Sequence, residues 1–486
     1  NLDFLLSIST KMTISIVAST YNNLIVGSNG TLACKLSEDL KYFKLITTNV
    51  KDSIVIMGRK TWFSIPLCDR PLQDRQNIVL TNNQELLKCK DQGCKFMTVE
   101  KFKMWYNRNT DVFIIGGAQI YNLFLQTIDP ILMPSRLYIT EMRHSEKLQC
   151  TTKIDYIPKD FNIISHTKKE YHGDISYRYL IYKRQKTENS EEIYLNLLKD
   201  VLNNGRCRKE RTSTGAISVF GRQTRMDISQ SVPLLTSKYL NWKACIEELL
   251  WFLRGDTDSK ILERKGVNIW KENTSREFIE TRNLDYKEGI IGPAYGWNWR
   301  FFGARYSEVF SDTSIFDTSK IGGVDQIENI IHLLKTDPFS RRIVLSSWNP
   351  IDIDKCVLPP CHYTCTFYVD EDSSGQKHLS CHYIMRSNDL FLGAPWNIFS
   401  YTVLTYILAM KCDMKPKELV YSVSDAHIYN NHIEQVITQL QRTVRAQPKL
   451  VLNDMIKNIH ISNICVGDFD VIGYYRDKSI HGEMAV

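Results

Sequence analysis

Asp39 and Phe43 are the first side chains along the sequence whose types and spacing could do chemistry. They lie four residues apart in a segment, 37–47, whose apolar residues have helical spacing, so both side chains share one helix face. Such a face could hold a flat heterocycle, with the ring stacking and the carboxylate hydrogen bonding. Low solvent access would raise the pKa of the carboxylate and help it assist a protonation. Taken alone, the pair favours a simpler explanation, an aspartate placed in the first turn by the helix dipole.

Gly116 and Gly117 lie between a strand-like run and a helical segment. Backbone N–H groups and a helix N-terminus at such a junction can face a pyrophosphate, although any tight strand-to-helix turn also favours glycine. Arg59 and Lys60 follow another strand-like run, where two cations suit a phosphate group. Simple solvent exposure is the alternative for this pair.

The chain has 13 cysteines and contains no CxxC pair, so we expect no metal site of the zinc type. A buried cysteine without nearby cations is an inert apolar side chain, and this is the ordinary expectation for each of the 13. Glu248 precedes an apolar helical run, where poor solvation would raise the pKa of its carboxyl group.

Length and composition limit the class of protein. A chain of 486 residues with 43% hydrophobic side chains predicts two or three domains. The formal charge of +7 is a mild basic bias without a Lys/Arg block, which favours an anionic small-molecule substrate over a stable nucleic-acid partner. Scattered thiols indicate a reducing compartment, and we expect a cytoplasmic protein.

The clearest boundary is the polar run KRQKTENSEE at 183–192, which has no apolar side chain and predicts an exposed joint. We expect a first domain at 1–183, a linker at 184–192 and a second domain at 193–486. The first alternates strands and helices, which predicts an α/β fold with a mixed, mostly parallel central sheet and a final antiparallel edge strand at 176–182. The second mixes helices with strands at 343–348, 363–369 and 378–383, and predicts an α+β domain.

Two segments bear on membranes. Residues 1–10 carry only Asp3 as a charge and lack the basic front of a signal peptide. Residues 390–410 have no charged side chain and could span a bilayer, but Gly393, Pro395 and Asn397 interrupt the first third. A loop followed by a buried helix is the better prediction, and we expect no membrane partner.

Six motifs occur in order between residues 13 and 183: ISIVAS, IVG, LSEDLKYFK, VIMGRKTW, RPLQDRQNIVLT and VFIIGGAQIY. In this order and spacing they resemble the dihydrofolate reductase family. The resemblance implies NADPH as cofactor, dihydrofolate as substrate and Asp39 as the catalytic carboxylate. The folate-binding positions that it implies are Val17, Asp39, Phe43, Ile65, Arg75, Ile115, Tyr121 and Thr140, with Ser19 also lining the pocket. The implied NADPH-binding positions are Ala18, Ile25, Gly27, Arg59, Lys60, Thr61, Thr81, Asn82, Gly116, Gly117, Ala118 and Gln119.

One departure concerns the loop before the predicted helix. The family usually has Leu- or Met-Pro-Trp there, whereas this chain has Leu32-Ala33-Cys34. A small thiol in place of the tryptophan that closes over the substrate puts the rigidity of this loop in question.

Longer motifs cover the second part: RTSTGAISVFG, ELLWFLRGDT, IGPAYGWNWR, DPFSRRIVLSSWNP, LPPCH, RSNDLFLGAPWN and DAHIYNNH. They resemble the thymidylate synthase family nearly end to end. The resemblance implies methylation of dUMP with 5,10-methylenetetrahydrofolate through a covalent adduct on Cys361, with Glu248 and Tyr295 in a polar network that relays protons. The implied dUMP-binding positions are Arg211, Arg341, Arg342, Cys361, His362, Arg386, Ser387, Asp389, Asn397, His427 and Tyr429, and Trp270 and Asp389 would contact the folate.

The resemblance further implies a homodimer through the synthase domain, because the family's adjacent arginine pair, here Arg341 and Arg342, reaches the phosphate from the partner subunit. Met385 and Trp396 depart from the common glutamine and phenylalanine, and we expect Trp396 to enlarge a wall of the pocket. The tail ending at Val486 resembles the segment that closes over the family's ternary complex.

The reductase-first order resembles the bifunctional enzymes of protists and plants. Three alternatives remain at this point: a synthase with an inactive reductase half, a nucleic-acid-binding regulator and a structural scaffold.

Overall fold

The computed structural model describes residues 13–21, 25–28, 31–32, 34–89, 93–106, 110–127, 129, 131–143, 152–154, 157–185, 189–208, 214–306 and 322–483. The chain divides into two compact units, Asn1–Thr187 and Glu188–Val486.

The first unit is built on one large sheet with helices between most of its parallel strands. Its strands are β1 Ile14–Tyr21, β2 Ile25–Ser28, β3 Thr31–Leu32, β4 Ile54–Gly58, β5 Gln76–Leu80, β6 Cys94–Met97, β7 Val112–Gly116, β8 Arg136–Arg143, β9 Thr152–Lys153, β10 Phe161–His166, β11 Glu170–His172 and β12 Ile175–Arg184. Its helices are α1 Ser37–Thr48, α2 Arg59–Ser64, α3 Gln84–Lys88, α4 Val99–Trp105 and α5 Ala118–Gln126, with a 3-10 turn at Leu67–Asp69.

The main strand order of this sheet is β10-β12-β8-β1-β7-β4-β5-β6. The strands from β8 to β6 run parallel, and β12 pairs antiparallel with both β8 and β10. The centre holds near-continuous apolar runs such as IVIMG in β4, as expected for strands buried on both faces. The predicted α/β fold is therefore confirmed.

The predicted edge position of the last strand is wrong. Strand β12 is antiparallel, but β10 lies outside it in the sheet. The run FNIISH alternates buried and half-buried residues, a weak period-2 pattern that is easily missed beside stronger apolar runs.

The second unit contains a six-stranded sheet and a two-stranded one among its described residues. Its strands are β13 Arg206–Arg208, β14 Ala216–Asp227, β15 Val344–Ser346, β16 His362–Glu371, β17 Lys377–Asp389, β18 Lys415–Tyr429, β19 Lys449–Leu452 and β20 Phe469–Ile472. Its helices are α6 Ser190–Asn204, α7 Trp242–Arg254, α8 Lys260–Glu263, α9 Arg276–Thr281, α10 Tyr295–Phe301, α11 Gln326–Thr336, α12 Gly393–Lys411 and α13 Ile433–Leu440. Its 3-10 turns are Glu272–Thr274, Ile353–Lys355, Asn430–His432, Asp454–Lys457, Ile461–Asn463 and Val466–Asp468.

The larger sheet has the order β13-β14-β18-β17-β16-β15. Strands β17 and β18 are parallel and their neighbours are antiparallel, so the predicted α+β architecture is confirmed. Helix α12 is apolar on most sides and lies buried in the core of this unit. It begins at Gly393, earlier than the predicted loop allowed, because proline is tolerated in the first turn of a helix. Within the described ranges, no helix is both long and apolar enough to cross a membrane.

The polar run at 184–192 is not a linker throughout. Arg184 ends β12, and α6 begins at Ser190. The Glu191 carboxylate is buried and accepts hydrogen bonds from the backbone and hydroxyl of Thr236 and from the Ser237 backbone. A polar sequence can thus be buried when its groups are satisfied by distant partners, which composition does not reveal.

Candidate active sites

The carboxylate of Asp39 is buried in the first turn of α1. The register of β1 and β8 sets Ser19 directly opposite Thr140, and both hydroxyls bond to this carboxylate. The Ser19 Oγ donates to Asp39 Oδ2 at 2.5 Å. Burial raises the pKa of Asp39, while the two hydrogen bonds act in the opposite direction. A carboxyl group of this kind can hold a proton near neutral pH.

One face of α1 continues from this carboxylate. Phe43 and Thr47 lie one and two turns after Asp39, and the Thr47 hydroxyl accepts from Arg75 Nη1 at 2.6 Å. The Arg75 guanidinium lies 5.7 Å from the centre of the Phe43 ring. A buried acid and an aromatic ring therefore follow one another along α1, and the Arg75 cation lies beside the ring and Thr47.

The two glycines at the end of β7, Gly116 and Gly117, lie against α2. A Cβ atom at Gly116 would come within 3.2 Å of the Thr61 side chain, and one at Gly117 within 3.2 Å of its Oγ1. Gly116 has a φ of +142°, which favours glycine. The Tyr121 hydroxyl, on α5, donates to the Val17 carbonyl at 2.9 Å and so ties this turn to β1.

The predicted cofactor residues cluster at the carboxyl ends of adjacent parallel strands. Strands β7, β4 and β5 are neighbours, and each has a predicted group at or immediately after its last residue. These groups are Gly116 with Gly117, Ala118 and Gln119, then Arg59 with Lys60 and Thr61, then Thr81 with Asn82. Nucleotides commonly bind at this edge of an open α/β sheet.

The remaining predicted positions of this unit have varied surroundings. Ala18 and Gly27 are buried, Ile65 and Ile115 are half-buried, and the side chain of Ile25 is outside the described part. Cys34 is half-buried and packs beside the apolar cluster that includes Phe43 and Ile65. Burial and the nearby charge of Asp39 raise the pKa of the Cys34 thiol, so it is a thiol close to the carboxylate.

In the second unit Cys361 lies just before β16, between two anchoring side chains. Arg386 on β17 donates to Cys361 Sγ at 3.4 Å and to the carbonyls of Pro359 and Pro360 at 2.8 and 3.0 Å. The Cys361 backbone N–H donates to the Tyr295 hydroxyl at 2.8 Å. These contacts hold the Pro-Pro-Cys segment and direct a guanidinium at its sulfur.

Burial raises the pKa of the Cys361 thiol, whereas the Arg386 charge and the Tyr295 hydroxyl lower it. Four arginines, Arg211, Arg341, Arg342 and Arg386, are among the implied dUMP-binding positions. Within the described ranges, Arg386 alone of those four contacts Cys361. Arg211 lies outside the described residues, and Arg341 and Arg342 are exposed in the turn before β15.

His362 follows Cys361 and is buried against Tyr295 in a stacked arrangement, with ring centres 3.9 Å apart. Its Nδ1 pairs with the Tyr401 hydroxyl at 2.8 Å. Burial lowers the pKa of His362 to about 3, so the imidazole is neutral and packs against the Tyr295 ring without carrying a charge.

Glu248 lies on α7 with both carboxylate oxygens bonded to indole N–H groups. Trp270 Nε1 donates to Oε1 at 2.7 Å, and Trp396 Nε1 donates to Oε2 at 2.6 Å. Burial raises the pKa of Glu248 to about 7, against the lowering effect of both bonds. The Trp270 ring also lies edge-on to Tyr295, with centres 6.0 Å apart, so Tyr295 connects this carboxylate to the Cys361 segment.

A third group lies where β17 and β18 end side by side. The register pairs Ser387 with Asp425 and Asp389 with His427. His427 Nδ1 lies 3.4 Å from Asp425 Oδ1, and the His427 and Tyr429 ring centres are 5.0 Å apart. Asp389 Oδ1 accepts from the backbone of residues 391 and 392, which places it at the turn into α12, the helix that carries Asn397.

Several contacts were missed by sequence reasoning. We expected Trp396 to enlarge a wall, whereas it donates a hydrogen bond to Glu248. The Ser19 bond to Asp39 and the Tyr401 bond to His362 were likewise not anticipated. Only the departure of Trp396 from the family pattern was a visible signal, because the other residues look ordinary in sequence.

The two units match the family models of two enzymes, a folate reductase followed by a nucleotide methyltransferase. The dihydrofolate reductase family model matches residues 13–184, and the thymidylate synthase family model matches residues 192–486. Three curated relatives are named bifunctional dihydrofolate reductase-thymidylate synthase. The Paramecium tetraurelia protein is 37% identical over 98% of this chain and 100% of its own length. The Zea mays protein is 34% identical over 97% and 96%, and the Leishmania major protein is 33% identical over 95% and 93%.

The chain belongs to the bifunctional dihydrofolate reductase–thymidylate synthase family. It combines an NADPH-dependent reductase with a methyltransferase that uses 5,10-methylenetetrahydrofolate. The prediction of a bifunctional enzyme is confirmed, and it is supported over the alternative of a synthase with an inactive reductase half.

Proposed function

We propose that the synthase half methylates dUMP through a covalent bond between Cys361 Sγ and C6 of the pyrimidine. Addition of the thiolate to C6 moves an electron pair toward the C4 carbonyl oxygen and leaves an enolate whose C5 is nucleophilic. C5 then bonds to the methylene carbon of 5,10-methylenetetrahydrofolate and loses its proton to a base, and the bond from that carbon to the folate nitrogen breaks. A hydride from the folate completes the methyl group as the Cys361 thiolate leaves C6, and the folate becomes dihydrofolate. The observation that carries this proposal is the Arg386 guanidinium, 3.4 Å from the sulfur, since a cation favours the thiolate.

Glu248 and Tyr295 assist the proton movements. A carboxyl group with a pKa of about 7 can both donate and accept a proton near neutral pH. Tyr295 holds the Cys361 backbone through its hydroxyl and lies beside the Glu248–Trp270 pair. Trp270 and Asp389 are proposed to contact the folate.

The nucleotide is bound by groups at the ends of β17 and β18 and on α12. Arg386 and Ser387, with Arg211, would bind the phosphate, since charge-assisted bonds from a guanidinium fork suit it. The Asn397 amide has a donor and an acceptor and would select uracil over cytosine. The ribose would be held by His427 and Tyr429.

In the reductase half, Asp39 assists protonation of the substrate. Its support is burial together with the Ser19 and Thr140 bonds. Phe43 would stack on the heterocycle and Arg75 would bind the substrate carboxylate, which agrees with the contacts of Arg75 with Phe43 and Thr47 on α1. Val17, Ile65, Ile115 and Tyr121 would line the pocket.

NADPH fits the edge formed by β7, β4 and β5, and when bound it supplies the hydride. Gly116 and Gly117 lie close to Thr61 at the start of α5, where the backbone N–H groups of a helix N-terminus would bind phosphate oxygens. Arg59 and Lys60 are exposed and would neutralise the 2′-phosphate. Ala18, Ile25, Gly27, Thr81, Asn82, Ala118 and Gln119 complete the proposed set.

A homodimer through the synthase half would supply Arg341 and Arg342 to the partner's phosphate. Both are exposed in the turn before β15, and large apolar side chains are exposed on strands of the same sheet, including Phe220 at 80% and Tyr368 at 68%. Such a surface is typical of a protein interface.

Mixed dimers test this arrangement. A C361A chain and an R341A/R342A chain are each expected to be inactive in dTMP synthesis, and mixing them should restore part of the activity. A mixture of C361A with R386A is the control. It should restore no activity, because Cys361 and Arg386 of each proposed site come from the same subunit. No recovery in the first mixture would refute shared sites.

We also propose that the two domains divide between Arg184 and Ser190, inside the predicted linker of 184–192, and that the protein is cytoplasmic. The division is supported by the end of β12 at Arg184 and the compact unit beginning at Glu188. The location is supported by free thiols at every cysteine of the described ranges, since disulfides persist mainly outside the cytosol. Limited proteolysis and cell fractionation test the two statements.

Mass spectrometry tests the nucleophile. Incubation with 5-fluoro-dUMP and 5,10-methylenetetrahydrofolate should give a covalent adduct that maps to Cys361. The matched control is C356S, which removes a buried thiol five residues upstream and should leave the adduct intact. No adduct with the unaltered protein would refute the proposal.

The reductase half is tested separately. D39A should abolish NADPH-dependent reduction of dihydrofolate and leave dTMP formation in place. E38A, which removes the neighbouring carboxylate in the same helical turn, is the control and should retain reduction. Full reduction by D39A would exclude the proposed role.

A further inference from the structure

Trp396 occupies a position where the family pattern commonly has phenylalanine, which has no hydrogen-bond donor. Its indole Nε1 donates to Glu248 Oε2 at 2.6 Å, while Trp270 donates to Oε1 at 2.7 Å. Each oxygen of this buried carboxylate thus has its own fixed donor. Because both donors are neutral, they stabilise the ionised form without adding a positive charge to the site.

The contact also connects two elements that carry proposed pyrimidine-facing groups. Glu248 and Cys245 lie on α7, three residues apart, and Cys245 Sγ donates to the Trp396 carbonyl at 3.3 Å. Trp396 precedes Asn397 in the first turn of α12. Side-chain and backbone contacts of one tryptophan therefore tie the carboxylate and the amide together.

We propose that Trp396 is a positioning residue that holds Glu248 in one orientation and controls the proton transfer carried by its carboxylate. This inference rests on the proposed relay role of Glu248. A phenylalanine would fill much of the same space but would leave Oε2 without this donor. The carboxylate would then be held only by the hydrogen bond from Trp270 and could change its orientation, or a water molecule would have to replace the indole N–H as donor.

The direction of the effect follows from which form the bond stabilises. An indole N–H bonds more strongly to the ionised carboxylate than to the neutral acid, so W396F should favour the protonated form of Glu248. The wild-type pKa is about 7, and loss of one bond to a charged group should lower the ratio of ionised to protonated Glu248 by about tenfold at a given pH. The midpoint that Glu248 contributes to the pH profile of kcat should therefore move to higher pH.

The test is the pH profile of kcat for dTMP formation, measured from pH 5.5 to 9 for wild type, W396F and W251F. W251F is the matched control, because Trp251 is a buried tryptophan on α7 whose indole donates to a backbone carbonyl, that of Asp258, at 3.1 Å. We expect the Glu248-dependent midpoint to rise in W396F and to stay in place in W251F. KM for dUMP should remain within about twofold in W396F, since the proposed phosphate and ribose contacts are elsewhere.

A second variant separates the donor from the shape of the ring. Incorporation of 3-benzothienylalanine at position 396 replaces the indole N–H by sulfur and keeps the ring size, so it should give the same upward movement even if W396F folds poorly. An unmoved midpoint in this variant, with dUMP binding intact, overturns the inference.

Failure of the underlying role is distinguishable. If E248Q retains full kcat, Glu248 is not the relay and the proposed function of that residue fails. If E248Q is impaired while the position-396 variants have wild-type profiles, only the role of Trp396 fails. Adduct formation at Cys361 with 5-fluoro-dUMP should persist in W396F and shows that the nucleophile is undisturbed.

Discussion

Replacement of Ser19 by alanine tests how the reductase carboxylate is controlled. The Ser19 hydroxyl donates to Asp39 Oδ2 at 2.5 Å, and Thr140 supplies the second hydrogen bond. S19A removes one of the two donors and adds no bulk, so the carboxylate stays buried. We expect the pKa of Asp39, already raised by burial, to rise further.

The magnitude follows from the charge on the acceptor. A hydrogen bond to an ionised group contributes about 1.5–3 kcal/mol, and about 1.4 kcal/mol corresponds to a factor of ten between protonation states. The ratio of ionised to protonated Asp39 at a given pH should thus fall about tenfold or more in S19A. If the protonated acid assists the reaction, the rate should persist to higher pH before it declines.

The assay is NADPH oxidation with saturating dihydrofolate, followed from pH 5 to 9. S53A is the control, because it removes another buried serine hydroxyl of the same unit, one that donates to the Thr47 carbonyl at 2.5 Å. The declining limb should move upward in S19A and stay unchanged in S53A. An unmoved limb in S19A would refute the idea that this hydroxyl controls the acid.

Stability should respond with a definite sign. The folded-state pKa of Asp39 is raised above its ordinary value, so the folded form binds more protons than the unfolded form between the two pKa values. The free energy of unfolding therefore falls as pH rises through that window. S19A should make the fall larger, and urea unfolding at two pH values measures it.

Three further outcomes are expected. R386A should slow adduct formation with 5-fluoro-dUMP by about 100-fold, because a charge-assisted contact and two loop contacts are lost. The control R276A removes an exposed arginine and should have no effect. Equal rates of adduct formation in R386A and R276A would contradict the assignment. E191A should lower the free energy of unfolding of the second unit, measured in urea, by about 3 kcal/mol or more, since three buried donors lose their acceptor. The control E277A should change this free energy little. Similar free energies of unfolding for the two variants would show that the buried carboxylate is not stabilising. The imidazole of His362, with its pKa lowered to about 3, should stay neutral from pH 5 to 9 in ¹⁵N NMR, and a titration centred near its ordinary value would count against its buried position.

Much of the fold was predictable because its elements have strong local signals. The helical spacing at 37–47 predicted the bounds of α1 to within one residue. The order of the strands in the sheet was harder to predict. Strand β12 pairs with β8 on one side and with β10 on the other, so β10 is recognisable as the edge strand only once both pairings are known. Local patterns determine elements, whereas the partner of a strand depends on the whole chain.

The joint between the units illustrates the same limit. A run without apolar side chains predicts exposure, yet Glu191 is buried because Thr236 and Ser237, some 45 residues away, satisfy its oxygens. Composition measures the cost of burying a polar group but not the hydrogen bonds that offset it.

The sequence by itself determined the family, the two-part organisation and the candidate residues, because long motifs in a defined order preserve the identity and order of functional side chains. Only the tertiary structure decided which of those side chains touch. Ser19 and Thr140 meet at Asp39 because β1 and β8 are parallel in one register, and Trp396 reaches Glu248 from 148 positions away because α7 and α12 pack together. The protonation of both carboxylates depends on such contacts, since burial and hydrogen bonding act through distance in space and not through separation along the chain.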